Sequence, residues 1–184
     1  VKIKNLVTVQ TGSHLYNLAQ PNSDLDLYTV YRFLNKNYRP RRQVTQHIEE
    51  ETDHVKISLD RFYLQLAKGV PQACEVVFAK SNFYLDVDEA WYLEQLYCAQ
   101  IIEDNLLTIL DTYRRTVLNF FATDDLKKNR HGFRLLLNAE ALRDQGWFNP
   151  TLTNAQAQEV TSNASLPWKE REDLFKDRIW SVFR

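Results

Sequence analysis

The chain has 184 residues, 44% of them hydrophobic and 26% charged, with only four glycines and five prolines. That balance suits one well-buried domain, or one domain with a sizeable extension, and excludes a disordered or fibrous chain. A formal net charge of −1 excludes a global field able to hold a polyanion, so any nucleic-acid contact rests on local clusters.

Cys74 and Cys98 stand in apolar surroundings without CxxC spacing, which reads as reduced core residues of a cytosolic protein and not as a zinc site or disulfide frame. No apolar run approaches the ~20 residues that span a bilayer, and the opening "VKIKNLVTVQ" is too short and polar for a signal peptide. A soluble, cytoplasmic protein with no membrane partner is expected.

In chain order, Lys4 to Gln10 alternates and is rich in β-branched residues, so a strand is expected there, ending in a turn at Thr11-Gly12. Ser13 is expected to cap a short helix through Leu18, before Pro21 and Asn22 break it. "LDLYTVYRFL", from Leu25 to Leu34, is β-branched and aromatic near period two and predicts a long strand. A basic loop, "NKNYRPRRQ", follows. "DHVKISL" then predicts a strand with Val55, Ile57 and Leu59 on one side, and "SLDRFYLQLAKG" a helix with Gly69 as its stop.

From about Pro71 strand signals fade and apolar residues recur at three and four, as at Leu93, Leu96 and Tyr97, at Ile102, Leu106, Ile109 and Leu110, and at Phe133, Leu136 and Leu137. "WKEREDLFKDRIWSVF" closes the chain as an amphipathic helix with Leu174, Phe175, Ile179 and Phe183 inward. The expected fold class is α+β: a small mixed sheet with helices over residues 1–90, then a helical region over 91–184 packed on it.

Two pieces of the opening carry chemistry. Asp24 and Asp26 are two apart on a strand, so both side chains point to one face and lie close enough to converge on a hard cation. A solvated pair of aspartates at a strand start has the same spacing. Gly12-Ser13 lets the backbone approach a phosphate at a helix N-terminus, and the serine hydroxyl adds a donor. Alone, Gly-Ser is also an ordinary turn and cap; together the two pieces describe one nucleotide, phosphates on the turn and metals on the aspartates.

"TGSHLYNLAQPNSDLDLYTVY" resembles the signature of the DNA polymerase beta-like nucleotidyltransferase superfamily, and more narrowly the predicted nucleotidyltransferases of bacteria and phages with a GSxxYG…SDxD form. Gly12, Ser13, Tyr16, Ser23, Asp24 and Asp26 match, while Asn17 replaces the usual glycine and is a residue that tolerates the left-handed region. "DHVKISLDRFYLQLAKGVPQACEVVFA" is similar to a second family segment at Leu59, Phe62, Lys68, Gly69, Pro71 and Glu75, and "KKNRHGFRLLLNAEALRDQGWFNP" to a third, His-x-x-Arg-Leu-Leu.

The resemblance implies a nucleotidyltransferase core that moves an NMP from an NTP to an acceptor hydroxyl, RNA or tRNA among the acceptors the superfamily uses. It implies two Mg²⁺ ions, with Mn²⁺ as a substitute, on Asp24, Asp26 and a third carboxylate. Asp53 opens the "DHVKISL" strand and is the choice for that third position; Glu51, two residues earlier on the same face, is the reserve, and Asp60 falls inside the following helix. The phosphates would rest on Gly12 and Ser13.

His131 and Arg134 are neighbours on one helical face with Lys127 and Lys128 a turn earlier, a face suited to phosphates or, without the resemblance, to plain solvation. The resemblance supports His131 and Arg134 above the lysines, with Lys127 as a further phosphate-binding candidate. His14 beside the Gly-Ser turn stays undecided between phosphate contact and polar cap. Arg39, Arg41 and Arg42 with Tyr38 form a loop suited either to guiding a nucleic acid or to plain solvation. Rival readings are a nucleotide- or partner-binding protein that keeps the fold without turnover, and a toxin or antitoxin component.

Overall fold

A computed structural model describes residues 2–35, 44–49, 52–121 and 124–183. Strand β1 (Ile3–Thr11) and strand β2 (Leu25–Phe33) form where the β-branched, alternating pattern predicts them. They pair antiparallel, from Ile3 opposite Phe33 to Thr11 opposite Asp26. Between them stands a single helical turn, α1 (Gly12–Leu15). It is shorter than the expected helix through Leu18, because Asn17 turns left-handed at φ 60° and ends it.

Strand β3 (Val44–Glu49) and strand β4 (Thr52–Ser58) pair antiparallel, and β4 runs parallel to β2 with Asp53 opposite Asp26. Helix α2 (Leu59–Ala67) follows β4 directly, capped by the Ser58 hydroxyl, which accepts from the Arg61 N–H. Helix α3 (Pro71–Phe78) leads through a 3₁₀ turn (Ser81–Phe83) to strand β5 (Tyr84–Val87) on the free edge of β1. The sheet order is β3-β4-β2-β1-β5.

Two of these strands escape the sequence pattern. β3 and β5 are edge strands whose apolar residues face water, with Ile48, Leu85 and Val87 all exposed, so neither shows the one-sided burial that makes alternation legible.

Helices α4 (Ala90–Asp104), α5 (Leu106–Phe121), α6 (Leu126–Gln145), α7 (Asn154–Ala164) and α8 (Trp168–Val182) complete the described elements, giving a mixed α+β molecule with its helices concentrated toward the C-terminus. In α4 the helix is as expected but the inward face is not. Trp91, Cys98 and Ile102 are buried, whereas Leu93, Leu96 and Tyr97 are exposed. α4 is apolar on more than one side, and spacing alone does not choose between sides. In α8, Phe175 is buried and Leu174, Ile179 and Phe183 pack against the core.

One hydrophobic core runs from the sheet (Leu6, Val9, Val30) through α2 (Phe62, Leu66) to α5 and α6 (Ile109, Phe133, Leu136). Cys74 and Cys98 are both buried within it and unpaired. Among the described residues no helix is long and apolar enough to cross a membrane.

Candidate active site

The site is built where β1 ends. Because Thr11 is in register with Asp26, the residue after Thr11 meets the Asp26 side chain. A Cβ at Gly12 would lie 1.7 Å from Asp26 Oδ2, and Gly12 has φ +66°. Glycine is thus required twice, for its conformation and for its missing side chain. Thr11, not Ser13, takes the N-cap position of α1, which leaves Ser13 inside the turn and on the wall of the pocket. The first N–H groups of a helical turn have no partners within it.

Gly12, Ser13, Asp24 and Asp26 line one pocket of about 430 Å³, together with Lys127, Arg130 and His131 from α6 and Gln72 from α3. Asp24 sits just before β2 and Asp26 near its start. The Asp26 carboxyl is held above the usual carboxylate range, first by burial and then by the negative charges of Asp53 and Asp24, with Lys127 and His14 opposing. Asp53 is on the neighbouring strand and outside the lining; the Gln46 amide donates to both of its oxygens, at 2.9 and 2.7 Å.

Among the described residues no three His, Cys, Asp or Glu side chains are gathered to hold a metal by themselves. Magnesium seldom needs such a cage, since it usually takes one or two carboxylates and completes its shell with water and substrate phosphate. Burial first, and repulsion from Asp53 and Asp24 after it, raise Asp26, and a cation beside it would offset both, so the carboxylates of Asp24 and Asp26 would suit Mg²⁺ whose shell is completed by phosphate oxygens. Glu51, Tyr38, Arg39, Arg41 and Arg42 lie outside the described residues.

The third wall is the start of α6, capped by Asp125, whose carboxylate accepts from the Lys128 N–H at 3.0 Å. Lys127 and His131 face the pocket, and so does Arg130, which sequence reasoning passed over although it lies three residues from Lys127 on the same side of the helix. The His131 imidazole is pushed down to about 3, mainly by burial and further by Arg134, Lys127 and Arg130. It is therefore neutral near pH 7 and offers a hydrogen bond, not a charge.

Arg134 requires a correction. It was expected at the phosphates, yet it is not in the pocket lining and is only 4% exposed. Its Nη1 donates to Glu75 Oε1 at 2.6 Å, and its guanidinium lies 3.6 Å over the Tyr16 ring. The Tyr16 hydroxyl donates to the other Glu75 oxygen at 2.5 Å. A carboxylate buried in the apolar run of α3 needs a cation beside it, and Arg134, one turn deeper along α6 than Arg130, is the residue in reach. Three motif residues thus form one buried cluster that ties the α1 turn, α3 and α6 together. Burial, assisted by the Glu75 charge, drives the Tyr16 phenol well above its ordinary pKa.

Other residues shape the loop into β2. His14 is not itself in the pocket lining, but its Nε2 lies 3.4 Å from the carbonyl of Ser23, a lining residue, and so acts on loop shape. The Ser23 hydroxyl accepts from the Gln20 N–H at 2.8 Å. Asn17, in the left-handed region that its motif position calls for, donates to Leu152 O at 3.2 Å and to Asn154 Oδ1 at 3.0 Å.

Compared with known families, the chain matches the model of RlaP, the RNA repair pathway DNA polymerase beta family, over residues 2–179. No curated protein matches it. A match over nearly the whole length takes in the Gly-Ser turn, Asp24 and Asp26, and the α6 wall alike. The chain belongs to the RNA repair pathway DNA polymerase beta family, a family of polymerase beta-like nucleotidyltransferases.

Proposed function

We propose that the protein transfers an NMP from an NTP to an acceptor hydroxyl, with an RNA as the acceptor and pyrophosphate as the leaving group. The observation that carries this reading is one pocket with carboxylates on one wall, Asp24 and Asp26, and cations on another, Lys127 and Arg130, with Gly12-Ser13 between them. A metal–triphosphate needs both signs of partner at once. Membership in a family named for an RNA repair pathway supports the RNA acceptor.

In this reading the Gly12 backbone admits phosphate oxygens at close range, and the Ser13 hydroxyl donates to one of them. Lys127 as a point charge and Arg130 through its fork balance the charge that grows on the departing pyrophosphate. His131, being neutral, adds a hydrogen bond. Asp24 and Asp26, with Asp53 on the acceptor side, would hold two Mg²⁺ ions, which Mn²⁺ can replace. When bound, such ions lower the pKa of the acceptor hydroxyl and stabilise the leaving oxygens. The acceptor oxygen bonds to the α-phosphorus, the bond from that phosphorus to the β-bridging oxygen breaks, and the hydroxyl proton passes to solvent with assistance from Asp53.

The test incubates the protein with each α-labelled NTP, Mg²⁺ or Mn²⁺, and a pool of single-stranded RNA, beside the double change Asp24→Ala and Asp26→Ala. Label on RNA that depends on both aspartates is expected. Label that survives the double change would remove these residues from the mechanism, and Mg²⁺-dependent NTP binding without turnover on any acceptor would favour a binding protein.

A further inference from the structure

Helix α7 has a single charged residue, Glu159, in eleven positions. Gln158, Thr161 and Ser162 lie on one of its faces and line an open groove of about 410 Å³, closed on the other side by Asn17–Gln20 and Arg130. Leu18, Gln20 and Arg130 belong to the lining of both this groove and the pocket of the aspartates, so the two cavities adjoin. We propose that this uncharged face of α7 is the nucleoside subsite, where the ribose and base of the NTP are bound and selected. The inference rests on the nucleotidyltransferase reading and adds the place where the substrate's neutral half is recognised.

The charge layout of the two cavities follows that of a nucleotide. The pocket carries Lys127, the paired aspartates and the Gly-Ser turn, which suit phosphates and their counter-ions. Arg130 stands at the junction. Beyond it the groove has carboxamides, hydroxyls and small apolar groups and no carboxylate, as a ligand portion with no charge and many hydrogen-bonding edges requires. A carboxamide offers a donor and an acceptor side by side, the pairing that matches a base edge, and hydroxyls serve the ribose. A groove of this volume is at the small end of the ~300–1,000 Å³ typical of ligand sites, room for one nucleoside and not for a duplex.

The face is also held in place relative to the chemistry. Asn17, in the turn after Gly12-Ser13, grips the start of α7 through Leu152 O and Asn154 Oδ1, and Leu152 N–H donates back to Tyr16 O at 3.4 Å. A capping box between Thr153 and Gln156 closes the same helix end. Among the described residues the side chains of Gln20 and Gln158 have no hydrogen-bond partner, which leaves both carboxamides available to a ligand.

The test measures equilibrium binding by calorimetry with Mg²⁺ and no acceptor, using ATP, GTP, CTP and UTP and, as a phosphate-only probe, inorganic tripolyphosphate. The variant is Gln158→Ala with Ser162→Ala, two exposed positions whose change leaves the fold intact, checked by its melting curve. Wild type should bind its preferred NTP at least tenfold more tightly than tripolyphosphate. The variant should lose about tenfold for that NTP, the scale of one or two hydrogen bonds, with tripolyphosphate unchanged. Equal affinity of wild type for NTP and tripolyphosphate overturns the proposal. So does a variant that binds NTP normally but has weakened binding to a single-stranded RNA, which would make the face an acceptor site. The expected binding pattern without any turnover would refute the transfer reading and leave the subsite standing; turnover insensitive to α7 would do the reverse.

Discussion

Glu75→Gln is the sharpest probe of how the site is held. The Glu75 side chain is 1% exposed and its partner Arg134 5%, so the change leaves a guanidinium buried without its counter-charge. The glutamine keeps the shape: its one oxygen can face the Arg134 N–H and its amide nitrogen can donate to the Tyr16 hydroxyl oxygen, so what the change removes is the negative charge beside the buried guanidinium. Breaking a buried pair from one side costs about 3–5 kcal/mol. For a chain of this size each kcal/mol moves Tm by about 2–4 °C, so melting followed by near-UV circular dichroism should fall by roughly 6–20 °C. Replacing the whole cluster with apolar groups, Glu75→Leu with Arg134→Met and Tyr16→Phe, should recover most of that loss, because no buried charge is then left alone. A drop of less than about 1 kcal/mol for Glu75→Gln, or a triple variant worse than the single one, would refute the argument that charge pairing holds α1, α3 and α6 together.

Asp26→Asn should raise Tm while abolishing label transfer, because burial and the charges of Asp53 and Asp24 disfavour its ionised form; a lower Tm would contradict the repulsion. At Asn17 (φ 60°), urea denaturation should rank Asn17→Gly as milder than Asn17→Ala and Asn17→Val as worst, by about 1–3 kcal/mol over glycine, and equal losses for Gly and Val would remove the left-handed strain from the account. His131 is neutral in the folded state down to about 3, whereas the unfolded chain takes up that proton near 6.5. Stability is thus fully present above about pH 6.5 and lost as pH falls toward 3, and between pH 6.5 and 4.5 the loss is on the order of 2–3 kcal/mol. His131→Asn should flatten that slope in denaturation at a series of pH values; parallel slopes for the two proteins would show that burial does not hold the imidazole neutral.

Much of the core and of the site's opening was legible because it is local. Period-two runs mark β1 and β2, and the spacing of Asp24 and Asp26 places both beside Gly12-Ser13 once the strands pair. The register of Thr11 with Asp26, which explains Gly12, is a long-range fact that no spacing states. β3 and β5 went unread because an edge strand facing water has no buried side to alternate with. In α4 and α6 the period of 3.6 shows a helix but not what packs on each face. It therefore put Leu93, Leu96 and Tyr97 on an apolar stripe now found exposed, and grouped Arg134 with Lys127 and His131 although one further turn carries it into the core. Glu75 within "ACEVVF" was the signal for that last point: a lone carboxylate in an apolar run asks for a buried cation, and Arg134 supplies it.

The central claim, transfer of an NMP at the α-phosphate, is tested most directly by following two labels through one reaction. With single-stranded RNA as acceptor, the α-phosphate label of the NTP should appear on the RNA while the γ-phosphate label leaves as pyrophosphate, one for one, and both should vanish in Asp24→Ala with Asp26→Ala. A γ-label found on the RNA, or inorganic phosphate released with no α-label transferred, would contradict it.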